Sequence, residues 1–413
     1  MSAARMPEEG QFKRLSVLIT VAFVDMIGFM LVLPLLPFYA LQLHASPEQV
    51  GWILAAYPIA QLGSAPLWGR VSDRYGRRPA LLIGLLASAA AYVVFGLAHS
   101  LVLLFVSRFV QGAGGGTTGV AQAYVADTVR PADRARALGW LSSATSAGVV
   151  LGPLIGGFAG HFGQQAPGFI AASLCVVNAV FAWYWLPESK APAAPGAPLG
   201  ARRPILAPAW QVVRRPGDPI SQLILVYAVG MLALSGLTSV LPLFLNAEYH
   251  VTQAQWTRYL AYIGFMSVVM RIVLLGPIVD RVGERWTMRL GCLVLIAGFL
   301  LYPVVHDLRL LTICVMPLVP IGTALLFPST TSLLSGRSNP SEIGTTMGAA
   351  QTFGGVARAV APVVSTKAFQ EFGHGWPFVL SAALVTIVSV LAFRLDPQPP
   401  VQPAPVPNAP DAS

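Results

Sequence analysis

Asp25 lies inside a long apolar stretch, a position that packing alone explains poorly for an acidic residue. It is about ten residues, or roughly 15 Å of helix, from the start of that stretch. The other acidic residues fall in polar segments or within a few residues of the end of an apolar stretch. An ionised carboxylate at the centre of a bilayer costs at least ~2.5 kcal/mol, so such residues usually face a cavity and have a function. Reversible protonation is the chemistry that this carboxylate favours, and a hydrogen bond that packs two helices is the alternative.

Three cationic residues also lie within apolar stretches, namely Arg108, Arg271 and Arg358. Arg108 is the natural partner for Asp25, because an approaching arginine stabilises an ionised carboxylate and a departing one favours the neutral acid. The two residues would then form a proton switch. The alternative is that backbone carbonyls around Gln111 hold Arg108 permanently, and both arrangements can occur in different states. For Arg271 and Arg358, a structural role and contact with an anionic group of a substrate both remain open.

Other polar and aromatic residues in the apolar stretches could line a cavity for a small molecule, and each could equally join two helices: Tyr57, Gln61, Gln122, Tyr124, Asn178, Tyr227 and Gln351. The three cysteines lack a paired spacing and the histidines lie outside the apolar stretches, so no metal site is indicated. An enzyme in the membrane would need a second carboxylate, a histidine cluster or a nucleophile with its base at this depth. We therefore expect no enzymatic activity and no cofactor.

The elements that position these residues are membrane-spanning helices. Of the 413 residues, 55% are hydrophobic and 10% are charged, whereas soluble domains contain roughly 25% charged residues. Twelve apolar stretches cover residues 15–40, 48–69, 79–98, 101–125, 137–160, 167–187, 220–245, 256–279, 287–305, 310–334, 344–369 and 375–394. Each is long enough to cross ~30 Å of hydrocarbon at about 1.5 Å per residue. The sequence predicts an all-α integral membrane protein with twelve transmembrane helices.

The distribution of basic residues predicts the orientation. Connections on one side carry Arg70, Arg74, Arg77, Arg78, Arg130, Arg134, Arg136, Arg202, Arg203, Arg214, Arg215, Arg281, Arg285 and Arg289, and those on the other carry Arg258, Arg309 and Lys367. Because basic loops stay in the cytoplasm, both termini are expected to be cytoplasmic. The net charge of +9 then suggests anionic lipids as partners. A nucleic-acid partner is not expected, since no polar segment is long enough for a basic domain.

The two halves of the chain repeat each other. The segment 69–78 returns as 276–285, residues 32–35 return as 240–243, and Gly152-Pro153 is echoed by Ala361-Pro362. Two parallel six-helix halves place a substrate site between them, and rocking of the halves gives alternating access. The predicted organisation is a cytoplasmic N-terminus (1–14), a six-helix bundle (15–187), a Pro- and Arg-rich cytoplasmic linker (188–219), a second six-helix bundle (220–394) and a disordered cytoplasmic tail (395–413).

Several motifs resemble those of the major facilitator superfamily, and within it the twelve-span drug:proton antiporters related to tetracycline efflux proteins. Gly69-Arg-Val-Ser-Asp73-Arg74-Tyr-Gly76-Arg77-Arg78 resembles the conserved loop between spans two and three. Arg108-Phe-Val-Gln111-Gly112 is similar to the proton-coupling motif of span four. Gly148-Val-Val-Leu-Gly152-Pro153-Leu-Ile-Gly156-Gly157 resembles the span-five motif associated with exporters. The resemblance covers residues 15–394 and implies the major facilitator fold of two pseudo-symmetric six-helix bundles.

Each motif has a physical interpretation. The loop 69–78 and its second copy at Asp280 and Arg281 are expected to act as a gate on the cytoplasmic side, with Asp73 accepting hydrogen bonds from helix N-termini and pairing with arginines. Glu284 replaces an arginine in the second copy, so the two loops are not equivalent. Glycines every four residues in span five allow another helix to approach closely, and Pro153 removes a backbone donor.

The sequence thus predicts a proton-coupled exporter, an antiporter, of a small amphipathic compound such as a drug, siderophore or secreted metabolite. The alternative is proton-coupled uptake of a small-molecule nutrient. We expect a monomer in the bacterial cytoplasmic membrane, with the substrate and protons as its further partners. A receptor that does not transport would not require Asp25 and Arg108 inside the membrane.

Overall fold

The computed structural model describes residues 8–130, 133–163, 165–189, 206–338 and 343–395, and the regular secondary structure in these ranges is helical throughout. We number the spans α1 to α12. The first half consists of α1 (Glu8–Val32, a 3-10 turn Leu33–Leu35, and Leu36–Gln42), α2 (Pro47–Tyr75), α3 (Arg77–Gly96), α4 (Leu101–Gly114 and Thr117–Thr128), α5 (Arg134–Gly160) and α6 (Ala166–Trp185).

The second half consists of α7 (Pro219–Tyr249), α8 (Gln253–Val273 and 275–282), α9 (284–301), α10 (Leu308–Leu310, a π-helical turn Leu311–Val315, and Leu318–Arg337), α11 (Ile343–Phe372) and α12 (Trp376–Arg394). A further helix, Leu206–Arg214, lies within the stretch expected to link the halves. The expected tail, apart from Leu395, and most of the first half of the linker lie outside the described residues.

The helices coincide with the twelve apolar stretches, but they differ in how apolar they are. Seven of the described helices are long and apolar enough to cross a membrane, and the helices Gln253–Val273 and Leu275–Leu301, which are bent by 69° where they meet, pass the same test together. Of the others, α4 is interrupted, whereas α2 and α11 carry more polar and small residues along their length. A helix facing an internal cavity rather than lipid needs less apolar surface.

The repeat seen in the sequence is also present in the backbone. Gly76 joins α2 to α3 with φ 105° and ψ 161°, and Gly283 joins α8 to α9 with φ 79° and ψ 161°. Glycine adopts such positive φ values without the steric cost that a Cβ imposes. The same glycine turn therefore occurs at equivalent positions of both halves.

Packing follows the same pseudo-symmetry. Within the first half, α1 packs against α5 and α6, and α3 packs against α4 and α6; within the second, α7 packs against α11 and α12, and α9 against α10 and α12. Between the halves, α2 packs against α11 and α5 packs against α8. Since α2 corresponds to α8 and α5 to α11, the two interfaces are repeats of each other.

The break in α4 is stabilised by α2. Three side chains of α2 donate hydrogen bonds to backbone carbonyls of α4: Ser64 Oγ to Gly112 (3.3 Å), Trp68 Nε1 to Ala113 (2.6 Å) and Gln61 Nε2 to Gly115 (3.1 Å). Carbonyls that lose their helical partner at a break must find other donors inside a membrane. A long glycine-rich segment can thus bend within the bundle.

The halves are in contact at one end of the molecule and apart at the other. We call the end that carries Arg77, Arg78, Arg285 and Leu395 the arginine-rich end. At the opposite end, Trp256 Nε1 on α8 donates to the Pro34 carbonyl (2.9 Å), and Gln42 Nε2 donates to Gln253 (3.3 Å). Toward the arginine-rich end, space for a side chain is open beside one glycine in each of α2, α5, α8 and α11, at Gly69, Gly139, Gly276 and Gly348. The structure is therefore open at the arginine-rich end.

Candidate substrate cavity

A cavity of about 550 Å³ lies between the two halves. Its volume is in the range of small-molecule sites, ~300–1,000 Å³. Trp256 and Pro34, which are hydrogen-bonded to each other, are part of its wall at the closed end. Helices of both halves line it, so a molecule in the cavity would contact both.

Most of the cavity wall is apolar. Met26, Phe29 and Met30 line it from α1, Met231 lines it from α7 and Met316 from the start of α10. Methionine side chains are flexible and polarisable, which lets a wall adapt to compounds of different shape. The wall suits an amphipathic molecule with an apolar body.

Asp25 lies in this wall, partly accessible from the cavity. The Thr117 hydroxyl of α4 donates a hydrogen bond to Asp25 Oδ2 over 3.2 Å. Within the described ranges, Asp25 forms no ion pair and is the one acidic residue that lines the cavity. A carboxylate with a single hydroxyl donor and an opening to solvent can exchange a proton with the cavity.

Arg108 does not contact Asp25 in this conformation. Its side chain is fully buried, and its guanidinium lies over the rings of Tyr92 (5.8 Å to the centroid) and Phe95 (5.6 Å). None of its three guanidinium nitrogens has a hydrogen-bond partner, so the expected backbone carbonyls do not hold it either. The physical reason is that the first segment of α4 turns this residue toward α3, and the break places Thr117 beside Asp25 instead.

Arg271 and Arg358 line the cavity from α8 and α11. Among the described residues, neither forms an ion pair or a hydrogen bond. On the facing side, the ring of Tyr57 contacts that of Phe29 (4.8 Å between centroids) and its hydroxyl accepts a hydrogen bond from Gln61 Nε2 (3.1 Å). Two cations of the second half thus share one cavity with Asp25 of the first half.

The other polar candidates do not line the cavity, and most of them join helices. Tyr124 is buried and donates to the Pro187 carbonyl (2.7 Å). Gln351 Nε2 donates to the Tyr227 hydroxyl (3.3 Å) on α7, and Asn178 Nδ2 donates to the Val21 carbonyl (2.9 Å) on α1. Gln122 is exposed and, like these residues, is not part of the cavity wall.

The loop 69–78 forms a cluster of contacts within the first half. Arg77 Nη2 pairs with Asp73 Oδ1 over 2.8 Å, and Arg77 Nε pairs with Asp127 Oδ2 of α4 over 2.8 Å. Glu188, after α6, accepts hydrogen bonds from the backbone N–H groups of Arg77 (2.8 Å) and Arg78 (3.1 Å). These contacts tie the arginine-rich ends of α2, α3, α4 and α6 together. In this open state, they do not reach the second half.

The second copy of the loop forms different contacts. Asp280 and Arg281 are exposed, while Arg285 Nη1 donates to the Leu395 carbonyl (3.2 Å) after α12. Glu284 accepts a hydrogen bond from Ser332. In the first copy, Arg74 lies over the ring of Tyr75 (5.5 Å), and Gly69 has open space around it. The two loops are therefore unequal, as Glu284 suggested.

The glycines of α5 lie against α1. A Cβ at Gly148 would lie 2.8 Å from Met26 Cβ, and one at Gly152 would lie 2.5 Å from Met30 Cβ. A Cβ at Gly156 would collide with the Leu31 carbonyl. Gly157 instead meets Thr257 of α8, and Pro153 lines the cavity. The motif is therefore a close helix contact that also reaches the interface between the halves.

Sequence reasoning missed two residues of this region. Glu188, which follows α6, caps the N-terminus of α3, and Trp256 closes the cavity at the end opposite the arginine-rich end. Glu188 directly follows Pro187 at the end of an apolar stretch and Trp256 begins one. A polar or aromatic residue at the end of an apolar stretch can be recognised in the sequence, but its position does not predict which groups it will contact.

Comparisons with known proteins agree with this architecture. The sequence model of the Major Facilitator Superfamily matches residues 18–362 and again 265–412. Multidrug resistance protein 2 of Bacillus subtilis (strain 168) is 27% identical over 382 residues, which cover 91% of this chain and 92% of that protein. The class B tetracycline resistance protein of Escherichia coli is 35% identical over 175 residues, 42% of this chain and 44% of that protein. The structure of the human organic anion transporter MFSD10 (TETRAN) has a TM-score of 0.69 at 22% identity and covers 94% of this chain and 100% of that chain.

Two repeated six-helix halves around a central cavity define a polytopic membrane transporter, which is not an enzyme. The chain belongs to the Major Facilitator Superfamily. The predicted fold class is thereby confirmed.

Proposed function

We propose that the protein exports a small amphipathic compound in exchange for protons, with Asp25 as the proton-carrying group. The observation that carries this proposal is the position of Asp25 as the one carboxylate in the wall of the cavity, among the described residues. Similarity to multidrug and tetracycline resistance proteins supports export of drug-like compounds. Siderophores and other secreted metabolites belong to the same proposed class of small amphipathic compounds.

Exchange of the substrate for protons follows from the free-energy cost of burying the charge on Asp25. When the halves close around an empty cavity, an ionised Asp25 loses its water, which costs at least ~2.5 kcal/mol in a membrane. A protonated Asp25 avoids this cost, and so does an ionised one that is paired with a group of the substrate. The transporter therefore changes conformation with either a proton or a substrate, which is the condition for exchange.

In the present state, Asp25 lines the open cavity, into which it can release its proton, and the Thr117 hydroxyl donates a hydrogen bond that stabilises the carboxylate. We propose that Arg108 pairs with Asp25 in a different conformation, since in this one the Arg108 guanidinium lies over Tyr92 and Phe95. We propose that the arginine-rich end is cytoplasmic, as the distribution of basic loop residues predicts. The proton is then released to the cytoplasm as substrate enters.

The test uses purified protein in liposomes with an imposed pH gradient and tetracycline or an organic dye as the transported compound. Asp25→Asn should lose uphill transport, because it mimics the neutral acid and has no proton to release. It should retain some exchange of labelled for unlabelled compound, because the apolar wall of the cavity is unchanged. Asp25→Glu keeps a titratable group and should retain part of the coupling. Undiminished gradient-driven accumulation by Asp25→Asn would refute the proposal.

The remaining alternative is proton-coupled uptake, and the direction of transport decides between the two. In inverted membrane vesicles an exporter accumulates its substrate when the lumen is acidified. An uptake system loses substrate from the lumen under the same gradient. The close contact of α5 with α1 at Gly148 and Gly152, the motif that resembles those of exporters, is the feature that favours export.

A further inference from the structure

The charges in the cavity wall are divided between the two halves. Asp25 stands on α1 in the first half, whereas Arg271 and Arg358 stand on α8 and α11 in the second. With Asp25 ionised the wall carries two positive charges and one negative charge, a net of +1. A molecule that spans the cavity meets a carboxylate on one side and guanidinium groups on the other.

Arg271 and Arg358 in the cavity wall differ from Arg289, an arginine of the same half that has a structural role. Arg289 is buried, donates to the carbonyls of Ala392 (3.1 Å) and Phe393 (2.8 Å), and lies over the ring of Trp286 (4.7 Å). Arg271 and Arg358 have no such partners among the described residues. Their guanidinium groups retain their donors for a ligand.

Arg358 is placed where the two halves meet. Its Nη2 lies 3.8 Å from the Cβ position of Gly355, and that same position is 2.8 Å from Leu62 Cδ2 on α2. Leu62 follows Gln61, which is hydrogen-bonded to Tyr57. An anionic group bound by Arg358 would therefore lie beside the first half, within the cavity that Tyr57 and Asp25 also line.

Arg271 lies nearer to the open end than Asp25. Trp256 contacts the Pro34 carbonyl, which places the two residues at one level. Arg271 is fifteen residues beyond Trp256 along α8, roughly 22 Å of helix, and Asp25 is nine residues before Pro34 along α1, roughly 14 Å. A ligand that enters from the arginine-rich end thus passes Arg271 before it reaches Asp25.

We propose that the transported compound is an amphipathic zwitterion, with its acidic group on Arg358, its cationic group on Asp25 and its apolar body against the methionine-rich wall. Arg271 attracts the acidic group at the open end. This inference rests on the proposed exchange of substrate for protons. A carboxylate paired with arginine forms charge-assisted hydrogen bonds, which are about twice as strong as neutral ones.

The direction of coupling requires the cationic group. A compound with only a negative charge binds better when Asp25 is protonated, so it would travel with the proton and not against it. A cationic group competes with the proton for Asp25, and binding then releases the proton, as exchange demands. The other titratable groups near Asp25 are Tyr57, Tyr92 and Cys175. The charged side chains near them are Arg108, which lies over Tyr92, and the wall residues Arg271 and Arg358, and as cations none of these can replace the cationic group of the substrate on Asp25 by competing for a proton.

Three derivatives of one fluorescent compound test the charge pattern on the purified full-length protein in detergent. Nα-dansyl-lysine is a zwitterion, its Nε-acetyl derivative is a monoanion and its methyl ester is a monocation. Affinity is measured for each by fluorescence across a range of pH. Ionisation of Asp25 attracts a cation and repels an anion, so affinity for the monocation should rise with pH and affinity for the monoanion should fall. The zwitterion should bind most tightly, with an affinity that rises with pH.

Variants separate this inference from the proposed function. Arg358→Gln should weaken binding of the zwitterion and the monoanion about tenfold or more and leave the monocation unaffected, since a hydrogen bond to a charged group contributes ~1.5–3 kcal/mol. Arg358→Lys should keep much of the preference. Arg309→Gln, at an exposed position outside the cavity, is the control. In Asp25→Asn the pH dependence should vanish while the effect of Arg358→Gln persists.

The contrary outcomes are distinct. The substrate class is wrong if Arg358→Gln changes the three affinities equally, if the monocation or the monoanion binds best, or if none of the three binds up to its solubility. An unchanged pH dependence in Asp25→Asn would overturn the proton-carrying role of Asp25 and leave the anion site standing. Thermal melting of each variant without ligand verifies that the variant is folded.

Discussion

The contact between α5 and α1 yields a prediction whose size can be worked out from the structure. A methyl group added at Gly152 would lie 2.5 Å from Met30 Cβ and 2.9 Å from the Ile27 carbonyl oxygen. Both are below ordinary van der Waals separation, and the second is backbone, which cannot rotate away. Overpacking of this kind costs ~1–3 kcal/mol.

Gly139 provides a matched control on the same helix. A methyl group there meets nothing within 4 Å, so replacing glycine by alanine should stabilise the helix by ~0.5–1 kcal/mol. The gain in helix stability is common to both substitutions, so Gly139→Ala and Gly152→Ala should differ by the overpacking cost, about 1–3 kcal/mol.

The assay is thermal unfolding of the two purified variants and the unchanged protein in the same detergent, followed by transport in liposomes. We expect Gly139→Ala to melt at or above the unchanged protein and Gly152→Ala to melt below it. Gly152→Leu should additionally impair transport or let protons leak, because it separates α5 from α1. If Gly152→Ala is as stable as Gly139→Ala, the close contact does not exist and the reasoning is refuted.

Two further predictions concern the ends of the molecule. Asp73→Asn should lower the initial rate of transport at a normal protein level, because Arg77 loses one of its two carboxylate partners and keeps Asp127. An unchanged rate would show that this cluster does not control the conformational change. Trp256→Phe removes the hydrogen bond to the Pro34 carbonyl, a loss of ~0.5–1.5 kcal/mol. The conformational equilibrium should therefore shift about two- to tenfold toward the state that is open at the end where Trp256 lies. Labelling of a cysteine introduced at that end measures the shift, and equal labelling with and without the hydrogen bond would contradict it.

The sequence predicted the helices and their packing features more accurately than the contacts between individual side chains. The depth of Asp25, the repeat and the close packing of the α5 glycines follow from local composition and spacing. By contrast, the charges inside the spans suggested Asp25 as the partner of Arg108, with backbone carbonyls as the alternative, whereas in this conformation Arg108 lies over two rings of α3. Four of the candidate cavity residues, among them Tyr124 and Gln351, turned out to join helices.

The sequence by itself determined that the chain crosses the membrane repeatedly, that its halves are related, and that Asp25 lies well inside an apolar span. These properties are local, because a ~30 Å hydrocarbon core sets the length and polarity of each span independently of its neighbours. Only the tertiary structure decided which side chains meet, which end is closed, and that Asp25, Arg271 and Arg358 share a cavity. These properties depend on the rotation and tilt of each helix, which are set by close packing at positions such as Gly152 and by breaks such as the one in α4.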